Sequence, residues 1–210
     1  MTPHLTEFLS LALVHFLAVV SPGPDFAVTV RQSVKHGYRV GVSTSLGIGV
    51  GISVHVLYTV FGIGALLVAS TTAFTVVRYL GATYLLYLAA SLLRAKPAVR
   101  KDFELEERGA EPVPAVSKAF FQGFMTNATN PKATLFFVAI FATIVSPATP
   151  VTIKLCYGVW MCMVNALSFT FVSFVFSRSQ VRQRFLLMGH WFERIMGVLL
   201  GFFGVRLIVG

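Results

Sequence analysis

Two long stretches of this chain contain no charged side chain. Neither residues 41–69 nor residues 155–177 include Asp, Glu, Lys or Arg. A transmembrane helix needs about 20 mainly apolar residues, and each stretch exceeds that length. Charged residues make up only 12% of the chain, whereas a soluble domain carries about 25%. The polar side chains therefore cannot cover a water-exposed surface, and the sequence predicts an integral membrane protein.

Four further segments are long enough to cross a bilayer if each keeps a few charged residues. They lie at about residues 5–30, 72–94, 119–146 and 188–209. Six spanning helices would use about 120 residues, close to the 56% of the 210 residues that are apolar. We therefore predict an all-α integral membrane protein with six transmembrane helices. This leaves no length for a separate soluble catalytic domain.

The basic residues indicate how these helices are oriented. Lys and Arg concentrate in the gaps after the first, third and fifth helices, where they are Arg31, Lys35, Arg39, Arg94, Lys96, Arg100, Lys101, Arg108, Lys118, Arg178, Arg182 and Arg184. The other gaps and the termini hold only Arg78, Lys154 and Arg206. Because basic loops stay in the cytoplasm, both termini are predicted to lie outside it. This orientation explains the net charge of +9, so no nucleic-acid partner is predicted. The predicted environment of the chain is the lipid bilayer.

The gap between the third and fourth helices is long, charged and rich in proline. Beside its basic residues it contains Pro97, Asp102, Glu104, Glu106, Glu107, Glu111, Pro112 and Pro114. This composition is typical of a solvated linker. We predict a first three-helix repeat at residues 1–95, a cytoplasmic linker at 96–117 and a second three-helix repeat at 118–210. An odd number of helices per half inserts the two halves in opposite senses, as in inverted-repeat transporters.

The first helix of each half is interrupted inside its apolar segment. The residues at these interruptions are Ser21, Pro22, Gly23 and Pro24 in the first half, and Asn130 and Pro131 in the second. Proline removes a backbone donor and clashes with the preceding turn, and glycine relaxes the chain. Asparagine is a favoured helix cap, and proline suits the first position of a new helix. The sequence therefore predicts two broken helices that restart within the bilayer.

Each restart is followed by one charged residue, Asp25 in the first half and Lys132 in the second. A charge at membrane depth is costly unless it has a partner. One interpretation is a permanent Asp25–Lys132 ion pair that locks the halves together. The other is a zwitterion site, in which Asp25 binds an ammonium group and Lys132 a carboxylate, with Asn127 and Asn130 as neutral hydrogen-bonding groups. Amino acids are the obvious zwitterions, so we predict an amino-acid substrate and no cofactor.

At these residues the chain resembles a known family. The segments Ser21-Pro22-Gly23-Pro24-Asp25-Phe26 and Asn130-Pro131-Lys132-Ala133 resemble motifs of the LysE/RhtB family of amino-acid exporters. Val14-His15, Leu46-Gly47-Ile48 and residues 201–208 are most similar to its threonine and homoserine branch. The resemblance covers essentially the whole chain. It implies a six-span fold, self-association, and efflux of small amino acids across the bacterial inner membrane, driven by protons.

Other polar and small residues within the spans have two interpretations each. His15 and His55 could relay protons near neutral pH, or each could simply be hydrogen-bonded in place. Small residues recur every four positions at Gly41, Ser45, Gly49 and Ser53. Such a stripe serves either internal helix packing or a homodimer contact.

Two other functions compete with a transporter. A membrane ion or small-solute channel is the nearer alternative. An intramembrane enzyme is the more distant one, but the sequence has neither an HExxH nor a GxSxG motif, so no enzyme activity is predicted. Cys156 and Cys162 have no His or carboxylate at metal-ligand spacing, and no metal site is predicted either.

Overall fold

The computed structural model describes residues 3–21, 23–63, 65, 69–95, 112–178, 190–191, 193–202 and 205. Its helices are α1 (Pro3–Val20), α2 (Pro24–His36), α3 (Tyr38–Tyr58), α4 (Thr71–Leu93), α5 (Val116–Ala128), α6 (Pro131–Thr143) and α7 (Val151–Phe176). A π-helical turn at Thr59–Ile63 continues α3, and residues 193–202 are also helical. The described residues include no β-strand, so the prediction of an all-α protein is confirmed for them.

Among the described residues, three helices are long and apolar enough to cross a membrane, namely Tyr38–Ile63, Thr71–Leu93 and Val151–Phe176. They correspond to the predicted second, third and fifth spans. The helices on either side of the first break bend by 51° and together would make a fourth span. The chain is therefore a multi-pass membrane protein, while the count of six spans stays a prediction. Most of the predicted linker and part of the sixth predicted span lie outside the described residues.

The first predicted gap between spans is largely helical. Helix α2 continues to His36, beyond the predicted end of the first span at about residue 30, so Arg31 and Lys35 lie on its last turns. Only Gly37 separates α2 from α3, and its φ of 86° favours glycine. Basic side chains interact favourably with the C-terminal end of a helix dipole. Arg31 and Lys35 therefore lie near the end of a helix instead of in a separate loop, and Arg39 is the second residue of α3.

Helix α3 is central to the packing, because it contacts α2, α5 and α7. Its most extensive contact is with α5 and includes Gly47 on α3 and Gly123 on α5. A Cβ atom at Gly47 would overlap the carbonyl oxygen of Phe120, and a Cβ at Gly123 would overlap that of Thr44. Small residues allow two membrane helices to approach this closely. The contact brings the end of α5, where the second helix break begins, against α3.

The stripe of small residues on α3 is used inside the molecule. A Cβ at Gly49 would lie 2.6 Å from the Cβ of Ala166 on α7. The hydroxyl oxygens of Ser45 and Ser173 are 3.0 Å apart, which joins the same two helices. Of the two interpretations of this stripe, the structure supports internal packing for these residues.

Large apolar side chains cover the outer face of α7. Val159, Leu167 and Phe171 are 60%, 65% and 68% exposed. A soluble protein rarely exposes so continuous an apolar face. In a bilayer the same face contacts lipid, which agrees with the membrane assignment of this helix.

Candidate functional site

The two helix breaks contact each other. Helix α2 begins at Pro24 with Gly23 as its extended N-cap residue. Helix α6 begins at Pro131 with Asn130 as N-cap, whose Oδ1 accepts a hydrogen bond of 3.0 Å from the Lys132 amide. The Lys132 ammonium nitrogen lies 3.3 Å from the position that a Cβ of Gly23 would occupy. The predicted break residue Pro22 lies outside the described residues.

Asp25 is bound by two asparagines from the other half of the chain. It lies in the first turn of α2, where the positive end of the helix dipole favours a carboxylate. Its Oδ2 accepts hydrogen bonds from Asn127 Nδ2 at 2.9 Å and from Asn130 Nδ2 at 3.3 Å. Both asparagines are buried. The structure thus brings three of the four predicted binding residues into direct contact.

Lys132, the fourth, contacts the first helix break. Its Nζ donates to the Ser21 hydroxyl at 2.9 Å and to the Ser21 carbonyl oxygen at 3.3 Å. Lys132 is the second residue of α6, so its charge is opposed to the helix dipole there. The two Ser21 oxygens partly compensate that cost. The sequence predicts Ser21 only as a break residue, and its contact with Lys132 is decided by the packing of the two halves.

The two opposite charges are therefore held by different polar partners. The asparagine amides hold the Asp25 carboxylate, while Ser21 accepts from Lys132. Both charged side chains line the same cavity. The opposite charges of Asp25 and Lys132 also attract each other. The zwitterion site and the permanent ion pair therefore both stay interpretations of this arrangement, and the role of these residues in binding stays a prediction.

Two buried acceptors beside this network have no hydrogen-bond donor in the described part of the structure. They are Asp25 Oδ1 and Asn127 Oδ1. Because Asn127 donates its amide nitrogen to Asp25, its other terminal atom is the carbonyl oxygen. Buried polar atoms are rarely left unpaired in folded proteins. A cationic donor with several N–H groups, such as an ammonium group, is what these two oxygens could bind.

A cavity of about 50 Å³ joins the charged residues to an apolar wall. Asp25, Asn127 and Lys132 line it together with His15 and Asn165, and aromatic side chains of Phe136, Phe137 and Phe169 complete the wall. A few polar groups in apolar surroundings are typical of small-molecule sites. The volume is smaller than the roughly 300 Å³ or more of typical ligand pockets, so a ligand of amino-acid size requires the site to open.

His55 connects the two sides of the second break. Its Nε2 is 2.9 Å from the carbonyl oxygen of Asn127, to which it donates. Its Nδ1 is then an acceptor, 3.0 Å from the Tyr58 hydroxyl, whose oxygen is also 3.2 Å from the Thr134 carbonyl oxygen. The single Tyr58 proton is donated to one of these two acceptors. The chain of contacts therefore runs from the end of α5 to the first turns of α6. It positions Asn127, whether or not His55 also relays protons.

His15 has a separate partner, Asn165 of α7, whose Nδ2 is 2.8 Å from His15 Nε2. The rings of His15 and His55 both contact Phe137, with centroid distances of 6.2 and 5.4 Å. The two histidines thus belong to different hydrogen-bond networks, and their predicted role as a proton relay stays a prediction.

Sequence reasoning misses two polar residues of this region as partners of the site. Asn165 is the partner of His15, and Tyr58 is the partner of His55. Each of them could be noticed in the sequence as a polar side chain within a predicted span that contains no charged residue. The sequence contains that signal but does not indicate which residue of another helix each one meets.

Comparisons with known proteins cover nearly the whole chain. A profile of the family described as LysE type translocator matches residues 16–210. The threonine efflux protein of Escherichia coli (strain K12) is 28% identical over 212 residues, which is 98% of each chain. The threonine efflux protein of Salmonella typhi is 24% identical over 98% of each chain. The membrane protein YahN of Escherichia coli (strain K12) is 28% identical over 99% of this chain and 91% of its own. No solved structure matches.

Proposed function

Because this chain belongs to the LysE type translocator family, we propose that it is a secondary transporter that exports small amino acids from the cytoplasm. Relatives that match over nearly their full length are named threonine efflux proteins, which supports threonine or a similar small amino acid as the exported solute. The proposed location is the bacterial inner membrane, with both termini outside the cytoplasm.

The observation that carries this proposal is the composition of the cavity. Asp25 and Asn127, each with one unpaired acceptor oxygen, line it together with the cationic Lys132. We assign the substrate ammonium to the two acceptors. We assign its carboxylate to Lys132, whose contacts with Ser21 would rearrange on binding. Opposite charges held near each other are the complement of a zwitterion.

We also propose that the chain forms two inverted repeats of three helices. The support is local: α2 and α6 both restart after a break with proline at the first position and a charged residue next. In transporters of this kind the site lies between repeats and opens to one side of the membrane at a time. Such opening would also enlarge the small cavity enough to admit the substrate.

Proton antiport is the proposed source of energy. Asp25 would carry either a proton or the substrate ammonium, and these two occupants exclude each other. Protonation removes the negative charge that attracts an ammonium group, so proton entry from outside promotes release of the amino acid there. His15 and His55 are candidates for moving that proton, because both lie near the cavity within the membrane region.

Counterflow tests the proposed function directly. Purified full-length protein in liposomes loaded with unlabelled threonine is expected to accumulate labelled threonine transiently above its external concentration, since a carrier exchanges one molecule for another. Protein-free liposomes are the control. A channel, the alternative function, would only equilibrate the label without an overshoot. Absence of counterflow for threonine, homoserine and a panel of other small amino acids would contradict the proposal.

Replacing Lys132 with methionine tests its assignment to the substrate carboxylate. Methionine preserves most of the side-chain volume but removes the charge. We expect the KM for threonine counterflow to rise about tenfold to hundredfold, because a charged hydrogen bond contributes about 1.5–3 kcal/mol.

The double variant Asp25→Asn/Lys132→Met separates binding from a structural ion pair. If the two charges served only to neutralise each other, removing both would restore transport. We expect no restoration, because the proposed site needs each charge for a different group of the substrate. Recovery of wild-type counterflow in the double variant would support the ion-pair interpretation instead.

A further inference from the structure

His15 is a fully buried polar residue with no part in the substrate contacts assigned above. It lies on α1, is 1% exposed and lines the cavity that contains Asp25. Its Nδ1 has no hydrogen-bond partner within the described part of the chain. An unpaired, buried ring nitrogen beside a binding cavity is a candidate for ligand recognition.

The hydrogen bonds of Asn165 determine which atom of His15 can donate. Asn165 Nδ2 donates to the Met161 carbonyl oxygen at 3.0 Å, which identifies this atom as the amide nitrogen. The same nitrogen is 2.8 Å from His15 Nε2, so Nε2 must be the acceptor. A neutral imidazole with an accepting Nε2 carries its proton on Nδ1. His15 therefore presents an N–H donor at its unpaired atom.

In these surroundings, an unpaired Nδ1–H of His15 is energetically unfavourable. Aromatic rings of Trp160, Phe136 and Phe137 lie with centroids 5.6, 6.1 and 6.2 Å from the imidazole. These rings provide no acceptor of the strength of a carbonyl or hydroxyl oxygen. A ligand atom that accepts a hydrogen bond here is favoured over an apolar atom of the same size.

We infer that His15 determines specificity for amino acids with a side-chain hydroxyl group, by donating Nδ1–H to the hydroxyl oxygen. This inference rests on the proposed function. The substrate ammonium is already assigned to Asp25 and Asn127, and the substrate carboxylate to Lys132. The contact with His15 adds recognition of the side chain. The hydroxyl oxygen of threonine can accept this hydrogen bond. Valine has the same shape but has a methyl group in place of the hydroxyl, so it leaves Nδ1–H unpaired.

The experiment compares threonine with valine in counterflow, using full-length protein and two substitutions of His15. His15→Phe keeps a ring but removes the donor. His15→Asn places an amide nitrogen close to the position of Nδ1 and cannot titrate. Leu13→Phe adds a ring to the exposed face of the same helix and is the matched control. The readout is the ratio of kcat/KM for threonine to that for valine.

We expect the wild-type protein and the Leu13→Phe control to favour threonine by roughly tenfold to hundredfold. His15→Phe should reduce this ratio to about threefold or less, and His15→Asn should restore most of it. If His15→Phe does not fold, His15→Asn and the difference in thermal stabilisation of the wild type by threonine and by valine decide the question.

Three results would overturn the inference. The wild type could transport valine as well as threonine, His15→Phe could keep the wild-type ratio, or His15→Asn could behave like His15→Phe. The last result would favour the proton relay, because asparagine keeps a donor but cannot exchange a proton. Absence of counterflow for every amino acid would instead contradict the proposed function itself, so the two failures are distinguishable.

Discussion

Asp25→Asn is expected to abolish proton-driven export of threonine. The substitution preserves the size of the side chain but removes the negative charge that attracts the ammonium group and the atom that would carry the proton. Loss of a buried, charged hydrogen bond weakens binding by about tenfold to hundredfold, and coupling to the proton gradient should disappear altogether. Threonine efflux from liposomes with an imposed pH gradient, compared with efflux without the gradient, measures both effects.

Glu7→Gln is the matched control for this prediction. Glu7 is also a carboxylate on the first helix, but it accepts hydrogen bonds of 3.0 Å from Thr149 and does not line the cavity. Its neutralisation should leave export and coupling close to those of the wild type. Asp25→Asn protein that is monodisperse and still responds to the pH gradient would remove Asp25 from the coupling mechanism.

Gly123→Ala is expected to disrupt the folded protein, although it adds only one methyl group to a helix. The added Cβ would overlap the carbonyl oxygen of Thr44 and lie 3.0 Å from its Cα. No change of side-chain rotamer relieves an overlap with backbone, so α3 and α5 must separate. Overpacking costs about 1–3 kcal/mol, and we expect a value at or above the top of that range. The melting temperature and the monodisperse fraction in detergent should both fall.

Gly62→Ala is the corresponding control. Gly62 lies in the π-helical turn that continues α3, and a Cβ there would have no heavy atom within 4 Å among the described residues. Glycine inside a helix is less favourable than alanine by roughly 0.5–1 kcal/mol, so this substitution should be neutral or slightly stabilising. If both alanine variants melted like the wild type, the close approach of α3 and α5 would not matter for stability.

The Gly123 substitution also tests how the site is assembled. Asn127 lies one helical turn after Gly123 on α5, and His55 of α3 binds its backbone oxygen. Separation of the two helices should therefore weaken substrate binding even in the fraction of protein that stays folded. A raised KM for threonine in that fraction would link the packing of α3 and α5 to the site.

The amino-acid sequence by itself determines that this protein lies in a membrane and where its helices are interrupted. Stretches without charge longer than a bilayer crossing require membrane helices, and they appear as α3 and α7. Proline within an apolar segment interrupts a helix whatever the tertiary packing, because it lacks a backbone hydrogen-bond donor. The restarts at Pro24 and Pro131 could therefore be predicted from local chemistry.

Only the tertiary structure decides which polar groups meet and which stay unpaired. That Asp25 accepts from Asn127 and Asn130, and that Lys132 donates to Ser21, depends on how two segments about a hundred positions apart pack. The same holds for the bond between His15 and Asn165. Hydropathy is a property of each segment alone, whereas a hydrogen bond between helices depends on their relative rotation and depth, which apolar segments without a polar face leave unspecified.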